Sequence, residues 1–128
     1  MTTFTFDHVH LRSPDPEATA AFYERMFGAT VHRSEQNGKP RIDLDFCGQM
    51  FFIAKVAPDD AVGSSPQSPY LGLDHVGLTV SKIDDVVAEL KEKGANFTME
   101  PTTIRPGVRI AFLRGPQDVT IELVDRNA

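Results

Sequence analysis

Phe6-Asp7-His8-Val9-His10-Leu11 is repeated later in this chain of 128 residues as Leu73-Asp74-His75-Val76-Gly77-Leu78. These two stretches are the basis for predicting the fold. Four of their six positions are identical, and the second stretch starts 67 residues after the first (73 − 6). Self-similarity at a fixed spacing is the sequence signature of a repeated structural unit. We therefore predict two tandem modules.

Each motif copy is followed by the pattern of an amphipathic helix. Residues 13–17 supply an N-cap, a proline for the first turn and an early acid, and Gly28 ends this helix. In the second module the predicted N-cap is Ser81 or Asp84, and Gly94 ends the helix. The residues predicted on the apolar faces are Ala18, Ala21, Phe22 and Met26 in the first helix, and Ile83, Val86, Val87 and Leu90 in the second.

Alternating or apolar segments after each helix predict further strands. These segments are residues 41–46 and 50–56 in the first module, and 108–114 and 119–124 in the second. Aligning residues 51–54 with 119–122 gives an offset of 68 (119 − 51), which places Ala54 at the position of Glu122. Residues 58–70, rich in Pro, Ser, Gly and Asp, are predicted to be a linker.

Each half therefore follows the order β-α-β-β-β, and the predicted fold class is α+β. The two modules, about residues 1–57 and 71–128, are expected to form one domain with a curved mixed sheet around a metal-binding cleft. A single module of this size leaves much of the apolar surface of its sheet uncovered. Pairing of the modules is expected to bury that surface.

Strand alternation predicts which side chains face this cleft. His8 and His10 share one face of the first strand, opposite the apolar Val9. The repeat brings His75 to the place equivalent to His8, and Glu122 lies in the middle of the last, otherwise apolar strand. A carboxylate there is unfavourable unless it is paired or bound to a metal. We predict His8, His75 and Glu122 as ligands of one divalent ion, with coordination positions left open for water or substrate.

On these residues the chain resembles the vicinal oxygen chelate superfamily, which includes glyoxalase I, methylmalonyl-CoA epimerase, type I extradiol dioxygenases and bleomycin-resistance proteins. The resemblance rests on FDHVHL, AFYERMFGA, LDHVGLTV and GVRIAFLRGPQDVTIELVD, and covers nearly the whole chain. It implies the same three metal ligands and a homodimer that binds a small-molecule substrate. The ligand types accept Fe(II), Mn, Zn, Ni or Co, so the metal stays open. Whether one chain or two build each site also stays open.

The resemblance implies two reaction classes. Glyoxalase-type and epimerase-type members often add a Glu or Gln ligand in the fourth strand, where the repeat alignment gives Ala54. Three ligands instead resemble the extradiol dioxygenases, which usually add a His and a Tyr near the iron, whereas this chain has Phe112 in the Tyr region. Both reaction classes, a lyase or isomerase and a ring-cleaving dioxygenase, therefore remain predicted functions. The alternative from another class is a metal-free protein of the bleomycin-resistance type that sequesters a drug or other ligand.

Further cleft residues are assigned by their chemistry. His10 and Glu122 are the candidates to transfer protons, because an imidazole titrates near neutral pH. Arg41 is expected to pair with Asp43 on its own strand. The residues predicted to bind substrate are Arg12 and Arg41, through their guanidinium groups, and Phe52 and Phe112, as apolar walls in matching regions of the two modules.

Composition excludes several classes of function. The formal net charge of −5 and the lack of a Lys/Arg cluster argue against nucleic-acid binding. No apolar run is long enough for a membrane span, and the N-terminus shows no signal peptide. The single cysteine, Cys47, forms no internal disulfide, is expected to be buried, and fits a cytoplasmic location.

Overall fold

The computed structural model describes residues 1–128 and divides them into two compact units, Met1–Gly63 and Ser64–Ala128. The first unit contains β1 (Val9–Ser13), α1 (Pro16–Phe27), β2 (Thr30–Gln36), β3 (Lys39–Phe46) and β4 (Gln49–Lys55). The second contains β5 (Val76–Thr79), α2 (Ile83–Glu92), β6 (Asn96–Arg105), β7 (Val108–Arg114), a short 3-10 turn (Pro116–Asp118) and β8 (Thr120–Asp125). The predicted α+β class and the order β-α-β-β-β in each module are confirmed.

The two sheets have the same topology. Each is a four-stranded mixed sheet, with strand order β1-β4-β3-β2 in the first unit and β5-β8-β7-β6 in the second. In both, the first strand runs parallel to the last strand of its module, and the remaining pairs are antiparallel. The strands that carry the motifs, β1 and β5, thus lie at the edges of their sheets. Each is hydrogen-bonded to the last strand of its module, β4 or β8.

Helix α1 begins and ends where the sequence predicts. The Asp15 side chain accepts a hydrogen bond from the Ala18 amide, and Gly28 takes a left-handed conformation at φ 70°. The predicted apolar face is correct at Met26 and wrong at Ala18 and Ala21, which are exposed. The buried residues are Thr19, Ala20, Tyr23 and Met26. The large Tyr23 ring sets this rotation, since it packs against the ring of Phe46 at 5.1 Å.

Helix α2 buries Ile83, Val87 and Leu90, as predicted. Its N-cap differs from both candidates: Lys82 occupies that position and makes no side-chain capping bond. The carboxylate of Asp125, at the end of β8, accepts a hydrogen bond from the Ile83 amide instead, at 3.2 Å. This long-range cap ties the last strand to the start of the helix and accounts for the almost complete burial of Asp125. No helix of the chain is long and apolar enough to cross a membrane.

The register of the last strands corrects the repeat alignment. His10 lies opposite Phe52 in the first sheet, and its counterpart Gly77 lies opposite Glu122 in the second. Phe52, not Ala54, is therefore the structural counterpart of Glu122. Alternation could not detect this error, because a shift of two residues keeps every side chain on the same face.

One further expectation in the first unit is wrong. Cys47 is exposed, because it lies in the turn between β3 and β4 and not within a strand. His32 lies within β2, where it is exposed. Both side chains are outside the apolar core, which in this unit is formed by Leu44, Phe46 and Phe51 with α1.

Candidate metal centre and substrate pocket

A row of four residues crosses each sheet beside its motif histidine. In the first unit the row consists of His10, Phe52, Asp43 and His32. In the second it consists of Gly77, Glu122, Phe112 and Met99. Each row contains one carboxylate and one phenylalanine on its two central strands, but their order is exchanged. The expectation that Phe52 and Phe112 match is thus wrong, since Phe52 matches Glu122 and Phe112 matches Asp43.

His75 and Glu122 are brought together in the second unit. The Nε2 atom of His75 lies 3.1 Å from Oε1 of Glu122. The Glu122 side chain is 18% exposed, and the ring of Phe112 meets the His75 ring edge-on with centroids 5.3 Å apart. One imidazole nitrogen and one carboxylate oxygen therefore converge on a partly screened position at the polar face of the sheet.

The other ring nitrogen of His75 is held by its neighbour in the motif. Nδ1 lies 2.9 Å from Oδ2 of Asp74, so the carboxylate accepts its proton. This hydrogen bond is the largest of the effects that raise the pKa of His75, and the nearby charge of Glu122 adds to it. The same contact lowers the pKa of Asp74, which also accepts a hydrogen bond from the Tyr70 amide at 3.3 Å.

This arrangement fits a bound cation. With Nδ1 donating to Asp74, Nε2 and the Glu122 carboxylate face each other across 3.1 Å, a contact that a proton or a metal ion between them makes favourable. In the metal-free protein a proton fills this role, consistent with the raised pKa of His75. A Cβ on Gly77 would lie 3.8 Å from Oε1 of Glu122, so the absence of a side chain there leaves room beside the carboxylate. Neither unit by itself groups three His, Cys, Asp or Glu side chains for a metal ion, and the role of His8 as third ligand stays a prediction.

His8 has a different neighbour in the first unit. Its Nδ1 lies 2.7 Å from Oδ2 of Asp7, which repeats the Asp74–His75 pair. Its ring, however, stacks on Phe52 with centroids 4.0 Å apart and an interplanar angle of 19°. An aromatic ring therefore lies beside His8 where a carboxylate lies beside His75.

Arg41 completes the cluster around Phe52. Its Cζ lies 4.6 Å from the centre of the Phe52 ring. Its Nε donates to Oδ2 of Asp43 at 2.9 Å, which confirms the expected pair, and its Nη1 donates to Gln36 at 2.9 Å. These bonds hold the guanidinium over the polar face of the first sheet.

His10 opens into a cavity of about 430 Å³ on the same face. Burial of the ring and the neighbouring positive charge of Arg12 lower the pKa of His10, and Arg41 acts in the same direction. The remaining lining residues include Lys39, Arg41, Asp43, Phe52, Ala54 and Lys55. Arg12 lies beside Ala54 in the register of β1 and β4 and is exposed. The first unit thus places an imidazole, an aromatic ring and several cationic groups around one concavity.

The sequence did not predict four residues that form hydrogen bonds at the site. Asp7 and Asp74 belong to the motif and are repeated with their histidines, which was a usable signal. Ser68 and Thr120 carried no such signal, because their roles depend on how the predicted linker folds: Thr120 donates to Ser68, and Ser68 donates to Asp74.

Comparison with known proteins gives the family. Residues 5–123 match the family described as the Glyoxalase/Bleomycin resistance protein/Dioxygenase superfamily. A lactoylglutathione lyase of Salmonella typhimurium is 25% identical over 121 residues, which are 92% of this chain and 90% of that protein. A lactoylglutathione lyase of Arabidopsis thaliana is 27% identical over 94% of this chain, but the chain spans only 44% of that relative's length. The crystal structure of a glyoxalase family protein from Enterococcus faecalis is 26% identical, with a TM-score of 0.72, over 94% of this chain and 97% of that one.

Proposed function

We propose, because this chain belongs to the Glyoxalase/Bleomycin resistance protein/Dioxygenase superfamily, that it is a metal-dependent enzyme whose divalent ion is bound by His75 and Glu122. The observation that carries this proposal is the 3.1 Å separation of Nε2 and Oε1. Two ligands that bind one ion at about 2.1 Å and at a right angle lie about 3 Å apart. The hydrogen bond from Nδ1 to Asp74 supports the same role, because ligating imidazoles usually donate their second N–H to a carboxylate or a similar acceptor.

His8 is proposed as the third ligand. It repeats the Asp–His pair of the second motif, with Nδ1 turned to Asp7 and Nε2 left for a ligand role. Two imidazoles and one carboxylate suit Fe(II), Mn, Zn, Ni or Co and leave coordination positions for substrate oxygens. When bound, such an ion acts as a Lewis acid that stabilises negative charge developing on those oxygens.

Among reactions, we place a lyase or isomerase ahead of ring-cleaving dioxygenation. Relatives that match over 92–94% of this chain are lactoylglutathione lyases, and Phe112 puts no phenolic hydroxyl next to His75. At the position equivalent to Glu122, the first module has Phe52, so no second carboxylate lies beside His8. We therefore assign proton transfer to Glu122 or to His10. His10 suits that role by position, because it borders the cavity between the cationic groups and Phe52.

The substrate is proposed to be a small molecule with an anionic group. Lys39, Arg41 and Lys55 line the cavity with a single acidic residue, Asp43, although the chain as a whole carries a formal net charge of −5. Arg12 lies next to this cavity on β1 and can bind a carboxylate through its guanidinium. Phe52 supplies an apolar wall for the uncharged part of the substrate.

Metal analysis tests the proposal first. The protein is purified anaerobically without chelators or an affinity tag, and its metal content and its affinity for Mn²⁺, Co²⁺, Zn²⁺ and Fe²⁺ are measured. We expect about one ion per chain, lost in His75→Ala and Glu122→Gln and kept in His32→Ala, whose histidine is exposed in β2. Failure of every metal to bind would contradict the proposal and favour the metal-free ligand-binding protein.

Two assays then separate the reaction classes. Formation of a thioester from the hemithioacetal of glutathione and a 2-oxoaldehyde indicates the lyase. Oxygen consumption with catechols by the iron-loaded protein indicates the dioxygenase. We expect the first and not the second, and the reverse result would reassign the reaction while keeping the metal site.

A further inference from the structure

We propose that Phe52 and Arg41 are positioning residues, which fix the ring of His8 through a three-layer stack on the polar face of the first sheet. The inference rests on the proposed function, since it takes His8 to be a metal ligand. It assigns Phe52 a task at the site beyond that of an apolar wall, and it uses contacts that lie entirely within the first unit.

His8 needs support from side chains because the sheet does not hold its backbone. Strand β1 begins one residue later, at Val9, so the ladder between β1 and β4 starts beyond His8. Its hydrogen-bonded neighbour, Asp7, is 82% exposed, and exposed ion pairs of this kind contribute little free energy. The orientation of the His8 ring therefore depends on what else the ring contacts.

The ring of Phe52 supplies that contact. The centroids of the His8 and Phe52 rings lie 4.0 Å apart and the interplanar angle is 19°, so the two rings are stacked face to face. The Cζ atom of Arg41 lies 4.6 Å from the same Phe52 centroid. Two groups this close to one ring would overlap if they shared a face. His8 and Arg41 therefore cover opposite faces of Phe52.

Arg41 is itself held in place, which gives the stack a rigid base. Its Nε donates to Oδ2 of Asp43 at 2.9 Å, and its Nη1 donates to Oε1 of Gln36 at 2.9 Å. Asp43 lies directly opposite Phe52 in the register of β3 and β4, and its side chain is only 16% exposed. The guanidinium cannot leave the ring without breaking these hydrogen bonds, so Phe52 keeps one orientation and imposes it on His8. The edge of Phe52 still borders the cavity.

The second module has no counterpart of this stack. At the register position of Phe52 it has Glu122, whose carboxylate contacts the ring of His75 directly, and Phe112 meets that ring only edge-on. His75 is thus positioned by a polar contact, whereas His8 is positioned by an aromatic one. Removal of Phe52 should therefore weaken metal binding, although a phenylalanine cannot itself be a ligand.

Nuclear magnetic resonance of the metal-free protein tests the stack itself. The ring current of Phe52 shifts protons above its face upfield, so the carbon-bound ring protons of His8 should resonate upfield of those of His32, which is exposed in β2. Phe52→Leu should abolish this shift, and Phe52→Tyr should keep it. The matched control Phe97→Leu breaks another aromatic–cation contact, with Lys91 in the second unit, and should leave it unchanged. Absence of the shift in the wild type, or its persistence in Phe52→Leu, would overturn the proposal.

Titration with Co²⁺ shows whether the stack acts through His8. Phe52→Leu should weaken binding by about 10-fold, as loss of a group that orients a ligand does. In a His8→Ala background the same substitution should have no further effect, because residues that act as a unit are not additive. A general structural effect would persist in that background. Phe52→Tyr should restore the affinity, since it keeps the ring.

The outcomes separate the stack from the proposed function. If the wild type binds no metal but Phe52→Leu removes the upfield shift, the proposed function fails and the role of Phe52 in fixing the His8 ring stands. If metal binds and Phe52→Leu leaves the affinity unchanged, or lowers it equally in the His8→Ala background, the positioning role fails alone. Should Phe52→Leu not fold, Arg41→Met uncovers the far face of the ring instead. We then expect a smaller shift and a lower affinity, and no change in either would overturn the proposal.

Discussion

The two modules place the same motif histidine directly before the same edge strand and give it neighbours of different chemistry. His75 faces the carboxylate of Glu122, whereas His8 stacks on the ring of Phe52, in the same register position. The carboxylate of the first module lies one strand further on, at Asp43, where it pairs with Arg41. This difference teaches that repetition of a backbone does not repeat its chemistry: the second module pairs its histidine with a carboxylate, and the first pairs its histidine with an aromatic ring beside an arginine.

Replacing Glu122 with Phe makes the second row resemble the first and has the largest expected effect. Removal of a ligand should exceed the 10- to 100-fold loss typical of its hydrogen-bonded neighbours, so we expect metal affinity to fall by at least about 100-fold. Calorimetric titration with Mn²⁺ or Co²⁺ measures this. Glu100→Gln, in an exposed pair with Lys91, is the control that should bind normally. Unchanged affinity in Glu122→Phe would break the comparison.

The opposite exchange, Phe52→Glu, adds a carboxylate beside His8. We expect metal affinity to rise by about 10-fold, since an additional anionic ligand favours a divalent ion. The unfolding free energy should fall by up to about 1 kcal/mol, because the new charge lies directly opposite Asp43. Phe52→Gln removes the same ring without adding charge and should show no gain in affinity. Equal affinities for the two variants would mean that this position is remote from the metal.

Tyr23→Phe examines the cores of the two modules. The Tyr23 hydroxyl is buried without a hydrogen-bond partner, and burial raises the pKa of this phenol. The corresponding stretch of α2 buries the purely apolar Leu90. Removing the unsatisfied hydroxyl should raise the unfolding free energy by about 1 kcal/mol. Urea denaturation measures the change, and destabilisation by Tyr23→Phe would show that the hydroxyl has a partner in solution.

The turns provide the smallest expected effect. In the first module both hairpin turns place a residue before glycine at positive φ, Asn37 at 54° and Cys47 at 52°. Asparagine tolerates this conformation better than cysteine does. Cys47→Asn should therefore stabilise the protein by about 0.5 kcal/mol, and Asn37→Cys should destabilise it by a similar amount. Thermal unfolding of both variants gives the two signs, which must be opposite.

The sequence predicted the modules because a motif repeated at a fixed offset is visible without any structure. It also singled out His75 and Glu122, since a polar residue in an apolar strand is conspicuous. It placed the equivalent of Glu122 at Ala54 and not at Phe52, because strand alternation has a period of two and is blind to a shift of two residues. It missed Ser68 and Thr120, since hydroxyl groups acquire their role only when residues distant along the chain meet.

The N-terminal cap of α2 also could not be predicted from local sequence patterns. Ser81 and Asp84 are suitable residues near the helix start, yet the Ile83 amide donates to Asp125, which lies 42 residues further along the chain. Capping preferences describe neighbours in sequence, and tertiary contacts can supply the same acceptor from elsewhere.

The exchanged order of carboxylate and phenylalanine in the two rows has an evolutionary consequence. Tandem halves that descend from one ancestral unit start with every position in duplicate, and each duplicate can then be lost or altered independently. Here each half has one carboxylate and one phenylalanine on its central strands, in reversed order: Asp43 and Phe52 in the first half, and Phe112 and Glu122 in the second. A lineage can therefore alter Phe52 and Arg41 in the first half without disturbing the His75–Glu122 pair in the second. Under the proposed function, substrate specificity can therefore diverge in one half while the metal ligands of the other half stay the same.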